Sequence, residues 1–164
     1  NNVDIVDTKG NEVGNNFKIM ARSSSAIGFK YLDAEGKEQQ VEMGCYGIGP
    51  SRVMGTMVEV FHDDKGIIWP ESVAPFKYHL LALGKEDETF EQAEIIYKNL
   101  ISAGAEVLYD DRRGVTAGEK FADADLIGLP IRLIVSKKTL AENSVELKRR
   151  NETEASLVKI SDLM

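Results

Sequence analysis

Residues 76–110, "FKYHLLALGKEDETFEQAEIIYKNLISAGAEVLYD", contain the pattern that decides the fold. The first eight residues are mostly apolar and predict a buried strand. Residues 87–104 begin with acidic side chains and end at Gly104, as an amphipathic helix does. Residues 105–110 predict a second strand. A strand, a helix and a strand in this order predict two parallel strands joined by a right-handed crossover.

The alternation continues to the carboxy-terminal end of the chain. Residues 117–129 predict a second helix, and residues 131–136 a third strand. Residues 144–150 and 154–160 predict two more strands around the turn "NETE", so that these two pair antiparallel. The fold class is therefore α/β, with a five-stranded mixed sheet flanked by helices.

The upstream part has a different pattern. Residues 29–32 and 40–46 predict two antiparallel strands joined by the turn "DAEGKE", and a helix is expected from Pro50. These elements are too few to bury a core of their own. We therefore expect the end of a larger domain here, in a chain that is truncated at both ends.

Two prolines mark the change between the two patterns. Pro70 and Pro75 bracket a stretch that should be extended rather than helical. We read this stretch as a linker, which divides the chain into residues 1–72 and 73–164.

Composition and charge exclude several classes of protein. The 164 residues include 43% apolar and 29% charged side chains, and no apolar run is long enough to cross a membrane. The single cysteine, Cys45, argues against a disulfide framework, and with two separated histidines it argues against a metal site. The net charge of −7 argues against nucleic-acid binding by bulk attraction, yet residues 112–138 contain six basic and three acidic side chains.

A glycine-rich motif, "MGCYGIGPSR" at residues 43–52, is the strongest candidate for chemistry upstream. Arg52 occupies the third glycine position of a dinucleotide fingerprint, and the chain has no P-loop lysine motif, so both interpretations fail. An arginine in the first turn of the expected helix would add a planar fork to amides that already favour an anion. Together with Gly47 and Gly49 it predicts a purine-triphosphate site. Alternatively, the glycines only allow a neighbouring element to pack closely.

The motif resembles motif 3 of class II aminoacyl-tRNA synthetases, in the form carried by bacterial-type prolyl-tRNA synthetases. The resemblance continues through "EVFHDDKGIIWPESVAPF" and "DDRRGVTAGEKFADADLIGLPIRLIVSKK" and covers residues 28–160. It implies the end of an antiparallel-sheet catalytic domain and, after it, an anticodon-binding domain. It further implies a cytoplasmic homodimer that uses ATP with Mg²⁺ to activate proline and ligate it to tRNA(Pro), the metal ligands lying mostly outside this chain.

The resemblance assigns roles to the residues of the glycine-rich motif. Arg52 takes the catalytic role of contacting the ATP γ-phosphate. The positions expected to line the ATP and amino-acid pocket are Gly44, Cys45, Gly47, Gly49, Ser51 and Arg52. For Cys45, a role as a small buried apolar residue remains open.

The second long motif supplies groups that suit guanine, of which the proline anticodon carries two. Guanine is read by an acceptor for its N1–H and N2–H₂ or by an arginine on O6 and N7, and unpaired bases stack on aromatic rings. The resemblance places the following residues at anticodon-contacting positions: Lys120, Phe121, Asp125, Arg132 and Lys138. Phe121 stacks, Asp125 accepts, Arg132 donates, and the two lysines lie near phosphates. For Phe121, a place in the core remains the alternative.

One segment departs from the family pattern. The family usually reads close to "G-H/N-I-F-x-L-G-T-K-Y/F-S", whereas this chain reads "GNNFKIMARSSS". Met20 and Ala21 replace the Gly-Thr pair and Ser23 replaces the aromatic residue, which puts the proline pocket carried by residues 18–25 in question.

Other functions remain open at this point. Motifs 1 and 2 are absent from these 164 residues, so we expect this chain alone to be inactive as a ligase. A non-catalytic, synthetase-like RNA-binding or accessory protein is the main alternative. A synthetase of the same subclass for threonine or glycine fits the tyrosine-containing glycine run less well.

Overall fold

The computed structural model describes residues 7–163. The chain forms two compact units, residues 1–56 and residues 57–164.

The first unit is built from short strands and helices. They are β1 (Gly14–Met20), α1 (Arg22–Ala26), β2 (Lys30–Leu32), β3 (Glu38–Gln40), β4 (Met43–Ile48) and the first turns of α2 (Pro50–Val60). The helix beginning at Pro50 confirms the expected start. In the β2–β3 turn, the Asp33 carboxylate accepts hydrogen bonds from the backbone N–H groups of Glu35 and Lys37.

The predicted hairpin of residues 29–32 and 40–46 is only partly correct. β2 pairs with β3, but β4 pairs antiparallel with β1, a strand that the sequence pattern did not indicate. Residues 40–46 therefore divide between two strands of two different sheets. The pairing of β4 with β1 is long-range, and local turn chemistry does not report it.

The second unit contains the remaining elements. They are β5 (His62–Asp63), β6 (Gly66–Ile67), β7 (Tyr78–Leu83), α3 (Asp87–Ser102), β8 (Val107–Asp110), α4 (Ala117–Ile127), β9 (Ile131–Ser136), α5 (Lys137–Ala141), β10 (Ser144–Arg149), β11 (Ser156–Lys159) and a 3₁₀ helix (Ile160–Leu163). Apart from β5, β6, the five-residue α5 and the final turn, these elements are the ones that the sequence predicts.

Five of these strands form the predicted mixed sheet. Their order is β11-β10-β9-β7-β8, with β7 parallel to both β8 and β9, and with β10 antiparallel to both β9 and β11. Leu80, Leu81 and Ala82 of β7, which lies between β9 and β8, are fully buried, since both faces of the sheet are covered. The α/β fold class is confirmed.

The two faces of the sheet carry different side chains. Leu80, Ala82, Leu133 and Val135 join the buried residues of α3 in the main apolar core. Side chains alternate along a strand, so His79 on β7 and Arg132 on β9 lie on the opposite face. That face packs against α4, and it is the face that matters for function.

A small hairpin, β5–β6, anchors the carboxy-terminal end of α4. Gly128 ends the helix in a left-handed conformation, and a Cβ atom there would lie 1.8 Å from the Ile67 carbonyl oxygen. Trp69 donates from its backbone N–H to the Gly128 carbonyl and from Nε1 to the Ile127 carbonyl. The guanidinium of Arg150 binds both carboxylate oxygens of Asp63, on the β5 strand of the hairpin. These contacts hold the end of α4 that carries Asp125.

Candidate functional site

The glycine-rich motif of the first unit forms an exposed strand edge that leads directly into a helix. In β4, Cys45 lies opposite Phe17 and Gly47 lies opposite Asn15 of β1. A Cβ atom at Gly47 would lie 2.6 Å from the Asn15 side-chain oxygen, which is the end of an exposed, flexible side chain that could move aside. Cys45 is exposed, so the small buried apolar role considered for it does not hold in this structure.

Arg52 occupies the first turn of α2, as the sequence predicts. The backbone N–H of Gly49 donates to the Val13 carbonyl, which fixes the strand-to-helix turn. The Arg52 side chain is exposed, and its Nη1 donates to the Glu12 carbonyl at 2.6 Å. In the part of the chain that the structure describes, Arg52 forms no ion pair with a carboxylate. Its guanidinium and the unpaired amides of the helix start can therefore both receive an anion.

The departure from the family pattern at Met20 coincides with an unusual backbone. Met20 has φ of +53°, a left-handed conformation that glycine adopts without cost and methionine does not. The register of β1 with β4 shifts between Lys18 and Met20. The Ser24 hydroxyl, which is buried, binds the Ala21 and Val41 carbonyls and holds the α1 segment in place. The glycine expected from the family pattern would fit the observed backbone better than the methionine.

In the second unit, α4 and β9 bring together three of the predicted anticodon residues. Phe121 and Asp125 are four residues apart on α4 and therefore lie on one side of the helix. The Arg132 guanidinium carbon lies 4.7 Å from the centroid of the Phe121 ring, and Arg132 Nη1 lies 3.0 Å from Asp125 Oδ1. Phe121 is half-buried beneath the arginine, so it is neither a pure core residue nor a free stacking surface.

The phosphate contact expected of Lys120 is wrong. Only 1% of Lys120 is exposed, so it cannot reach an RNA phosphate in this structure. Its ammonium donates to the carbonyls of Ala82 and Asp110 at 2.9 and 3.1 Å, and it lies 3.2 Å from the Asp110 carboxylate. A lysine is buried in this way only when its charge is paired and its donors are satisfied. Lys120 therefore ties α4 to the carboxyl ends of β7 and β8.

Lys138 is exposed but lies away from the other predicted anticodon residues. It belongs to α5, which starts after β9 with a reciprocal cap between Ser136 and Thr139. Arg132 is near the opposite end of β9, and the strand end lies roughly 13 Å beyond it at 3.3 Å per residue. Lys138 and Arg132 could therefore contact the same RNA only at different nucleotides.

Asp110, the last residue of β8, is the centre of an ion network. Arg112 binds the Asp110 carboxylate through Nε and Nη2 and reaches Asp123 with Nη2 at 2.7 Å. Burial by itself raises the pKa of Asp110, but hydrogen bonds from Arg112 and Lys120 outweigh it and lower the pKa to about 2. The network lines one side of a cavity of about 400 Å³ between α4 and β8.

His79 lies under α4 between this network and Arg132. It is 3% exposed, and burial lowers its pKa to about 4, so it is neutral at physiological pH. The negative charges of Asp110 and Asp123 raise the His79 pKa, whereas the positive charges of Arg132 and Arg112 lower it further.

Lys148 on β10 and Arg150 just after it also belong to the candidate site, although the sequence analysis did not name them as site residues. Lys148 is the register partner of Arg132, which is itself the register partner of His79, so the three positions form a row across β10, β9 and β7. Arg150 donates from Nε to the Asp125 carbonyl. The sequence shows the basic cluster of residues 148–150, but only the strand register places it beside Arg132.

Comparison with known proteins assigns the second half of the chain to a family. The sequence model described as "Anticodon binding domain" matches residues 73–164. The chain therefore belongs to the anticodon-binding domain family.

The relatives of the chain carry a more specific name. The proline–tRNA ligase of Exiguobacterium sibiricum is 50% identical over 157 residues, covering 95% of this chain and 27% of that protein. The proline–tRNA ligase of Bacillus subtilis is 49% identical over 156 residues, covering 94% of this chain and 27% of that protein. The chain thus spans about a quarter of the length of these relatives. The resemblance to bacterial prolyl-tRNA synthetases is confirmed.

A solved structure agrees with the fold. The prolyl-tRNA synthetase of Cryptosporidium parvum, determined with L-proline and AMP, superimposes with a TM-score of 0.81 at 23% identity, covering 92% of this chain and 33% of that one. At this identity the likeness speaks for the fold alone.

Residues 7–163 lack two further features. No helix among them is long and apolar enough to cross a membrane. Nor do three or more His, Cys, Asp or Glu side chains within this range gather into a group that could hold a metal ion.

Proposed function

We propose that this chain is part of a proline–tRNA ligase and supplies its anticodon-recognition domain together with motif 3 of its ATP site. The identity of about 50% to proline–tRNA ligases over 95% of the chain is the observation that carries the proposal. We propose the division into domains that the sequence predicts, residues 1–72 and 73–164. The family match begins at residue 73, although residues 57–72 belong to the same compact unit as residues 73–164.

Asp125 and Arg132 are the proposed readers of the anticodon guanines. The side chain of Arg132 is 14% exposed and that of Asp125 is 22% exposed, so both polar ends are partly shielded from water. Hydrogen bonds are stronger in such a shielded environment, and they therefore discriminate better between bases. A base that approaches would exchange the Arg132–Asp125 contact for bonds from guanine to each side chain. Phe121 supports the guanidinium from below, and Lys148 adds positive charge on the next strand. Lys138 is proposed to contact a phosphate farther along the RNA.

The glycine-rich motif is proposed to contribute one side of the ATP site. Gly44, Cys45, Gly47, Gly49 and Ser51 would line the nucleotide and amino-acid pocket, and Arg52 would contact the γ-phosphate of ATP. The Cryptosporidium enzyme is complexed with L-proline and AMP in one structure and with halofuginone and AMPPNP in another. Mg²⁺ would accompany ATP as part of the substrate, held by groups elsewhere in the ligase. Homodimer formation and a cytoplasmic location complete the proposal.

Binding of an RNA anticodon stem-loop tests the anticodon role. The chain should prefer a UGG stem-loop to one with both guanines changed, and Arg132→Ala should reduce affinity for UGG by roughly 10- to 100-fold, since one good base contact contributes about 1–3 kcal/mol. Arg149→Ala is the matched control for charge, because Arg149 is exposed at the end of β10 and is the register partner of Ile131, not of Arg132. Equal, salt-sensitive binding to both RNAs would instead indicate a non-catalytic relative.

A second measurement tests the catalytic part of the proposal. In a full-length ligase carrying this sequence, Arg52→Ala should abolish proline-dependent pyrophosphate exchange while leaving UGG binding intact. The 164-residue chain by itself should show no exchange. Exchange by this chain alone would contradict the assignment of half of the ATP site to other residues.

A further inference from the structure

Two buried polar atoms under α4 lack a hydrogen-bond partner among residues 7–163: His79 Nδ1 and Arg132 Nε. Buried polar groups in native proteins are bonded in the large majority of cases, and an unpaired one costs free energy. Two such atoms in one domain, one of them on the proposed guanine reader, call for a common explanation.

The strand register brings the two residues together. His79 on β7 and Arg132 on β9 are direct partners of a parallel pair, so their side chains leave the same face of the sheet next to each other. Both line a cavity of about 10 Å³ that Ala124, Asp125 and Leu129 also border. This is about the smallest space that holds one water molecule, and water needs two or more polar partners to stay there.

Arg132 Nε–H and His79 Nδ1 can both be satisfied by one group that accepts one hydrogen bond and donates another. Arg132 Nε–H is a donor only, whereas a neutral imidazole has one donor nitrogen and one acceptor nitrogen. Burial keeps His79 neutral at physiological pH by lowering its pKa. A single water molecule can accept from Arg132 Nε and donate to His79 Nδ1, which satisfies both atoms.

We propose that His79 is a positioning residue for Arg132 and acts through one bound water molecule shared by His79 Nδ1 and Arg132 Nε. The guanidinium is then held on three sides: by the water at Nε, by Asp125 at Nη1 and by the Phe121 ring below its plane. Among residues 7–163, Nη2 makes no hydrogen bond to the protein, so it is the group that a base meets first, before the contact of Nη1 with Asp125 is exchanged. The effect on RNA rests on the proposed function, whereas the hydrogen bond itself does not.

Two substitutions of His79 separate the hydrogen bond from packing. In asparagine, a polar side-chain atom lies the same number of bonds from the backbone as histidine Nδ1, whereas leucine fills a similar volume without any polar atom. His79→Leu should weaken UGG stem-loop binding by roughly fivefold and reduce the preference for UGG, since a net hydrogen bond contributes about 1 kcal/mol. His79→Asn should stay within about twofold of the wild type.

A double-mutant cycle measures the coupling between His79 and Arg132, which general destabilisation of the fold does not change. Arg132→Lys keeps the positive charge but has no Nε–H, so His79→Leu should have no further effect on UGG binding in that background. Equal effects of His79→Leu and His79→Asn, or an undiminished effect of His79→Leu beside Arg132→Lys, would overturn the proposal.

Nuclear magnetic resonance tests the hydrogen bond without RNA. In ¹⁵N-labelled full chain, the Arg132 Nε–H resonance should exchange slowly with solvent in the wild type and in His79→Asn, and fast in His79→Leu. If His79→Leu unfolds the domain, His79→Gln takes its place in the experiment. The polar atoms of glutamine lie one bond farther from the backbone than histidine Nδ1 and should not reach the water. If the Arg132 Nε–H exchanges as slowly in His79→Leu as in the wild type, the positioning role of His79 is refuted. If the wild type shows no preference for UGG, only the proposed function is refuted.

Discussion

The guanidinium of Arg132 lies against the ring of Phe121, with 4.7 Å between its central carbon and the ring centroid. Phe121 thus supports Arg132, the proposed guanine reader, from below. A cation over an aromatic face at a partly shielded site contributes about 1 kcal/mol. Phe121→Leu keeps the bulk and loses the aromatic face, so we expect UGG affinity to fall about three- to tenfold, measured by fluorescence anisotropy. Leu126→Ala, an exposed residue of the same helix, should leave affinity unchanged. An equal loss in both variants would contradict the stacking role.

Lys120 should be a stability residue and not an RNA contact. Its ammonium is buried against two carbonyls and the Asp110 carboxylate. Lys120→Met keeps the unbranched shape of the side chain, one atom shorter, and removes the charge, so we expect the free energy of unfolding in urea to fall by about 3 kcal/mol, the cost of breaking a buried pair.

Lys138→Met is the matched control for Lys120→Met, because Lys138 is exposed. It should change stability by less than about 0.5 kcal/mol and reduce the salt dependence of RNA binding if it meets a phosphate. Under conditions in which the Lys120→Met domain is folded, its RNA affinity should depend on salt concentration as steeply as that of the wild type. A reduced slope there would restore Lys120 to the phosphate contacts predicted from the sequence.

Gly128 should tolerate no side chain. It combines φ of +75° with a carbonyl oxygen of Ile67 that lies 1.8 Å from the position of a Cβ atom. Gly128→Ala should therefore lower the free energy of unfolding by more than about 3 kcal/mol. Gly104 has a similar φ of +83° but open space around it, so Gly104→Ala should lower stability by only about 1 kcal/mol. Similar losses at both positions would mean that the contact with Ile67 contributes nothing.

The stability of the second unit should depend on pH through His79. Its pKa falls from 6.5 in the unfolded chain to about 4 in the fold, chiefly through burial, so the folded protein binds the proton less well. The unfolded state therefore takes up more protons between these values, and stability is complete above pH 6.5 and declines as the pH falls towards 4. The full loss amounts to about 3 kcal/mol at about 1.36 kcal/mol per pKa unit.

Urea unfolding at a series of pH values checks this dependence. Between pH 6.5 and 4 the slope should be steeper in the wild type than in His79→Leu, which has nothing to titrate there. Below pH 4 both proteins should lose stability as the pH falls from 3.8 to about 2, because Asp110 is protonated in the unfolded chain before it is protonated in the fold, where its pKa is about 2. Parallel curves for the two proteins between pH 4 and 6.5 would show that His79 is charged in the fold.

Local sequence patterns were sufficient where an element's own residues decide its structure. β7, α3, β8, α4, β9, β10 and β11 fall where apolar runs, helix starts and turn residues predict them. α5 escaped prediction because five residues are too few to show a helical period. β1 also escaped, because its pairing with β4 joins residues about thirty positions apart and no local signal announces it.

For the candidate site, the sequence by itself determined which chemical groups are present, and the tertiary structure decided which of them meet. The motif around Phe121, Asp125 and Arg132 predicted a guanine-reading set, and the three do lie together because a helix spacing of four and one αβ turn bring them there. Lys120, its neighbour in sequence, points to the sheet instead, since successive helix residues lie about 100° apart around the axis. The roles of His79, Asp110 and Lys148 emerge only from strand register and burial, which depend on residues far away in the chain.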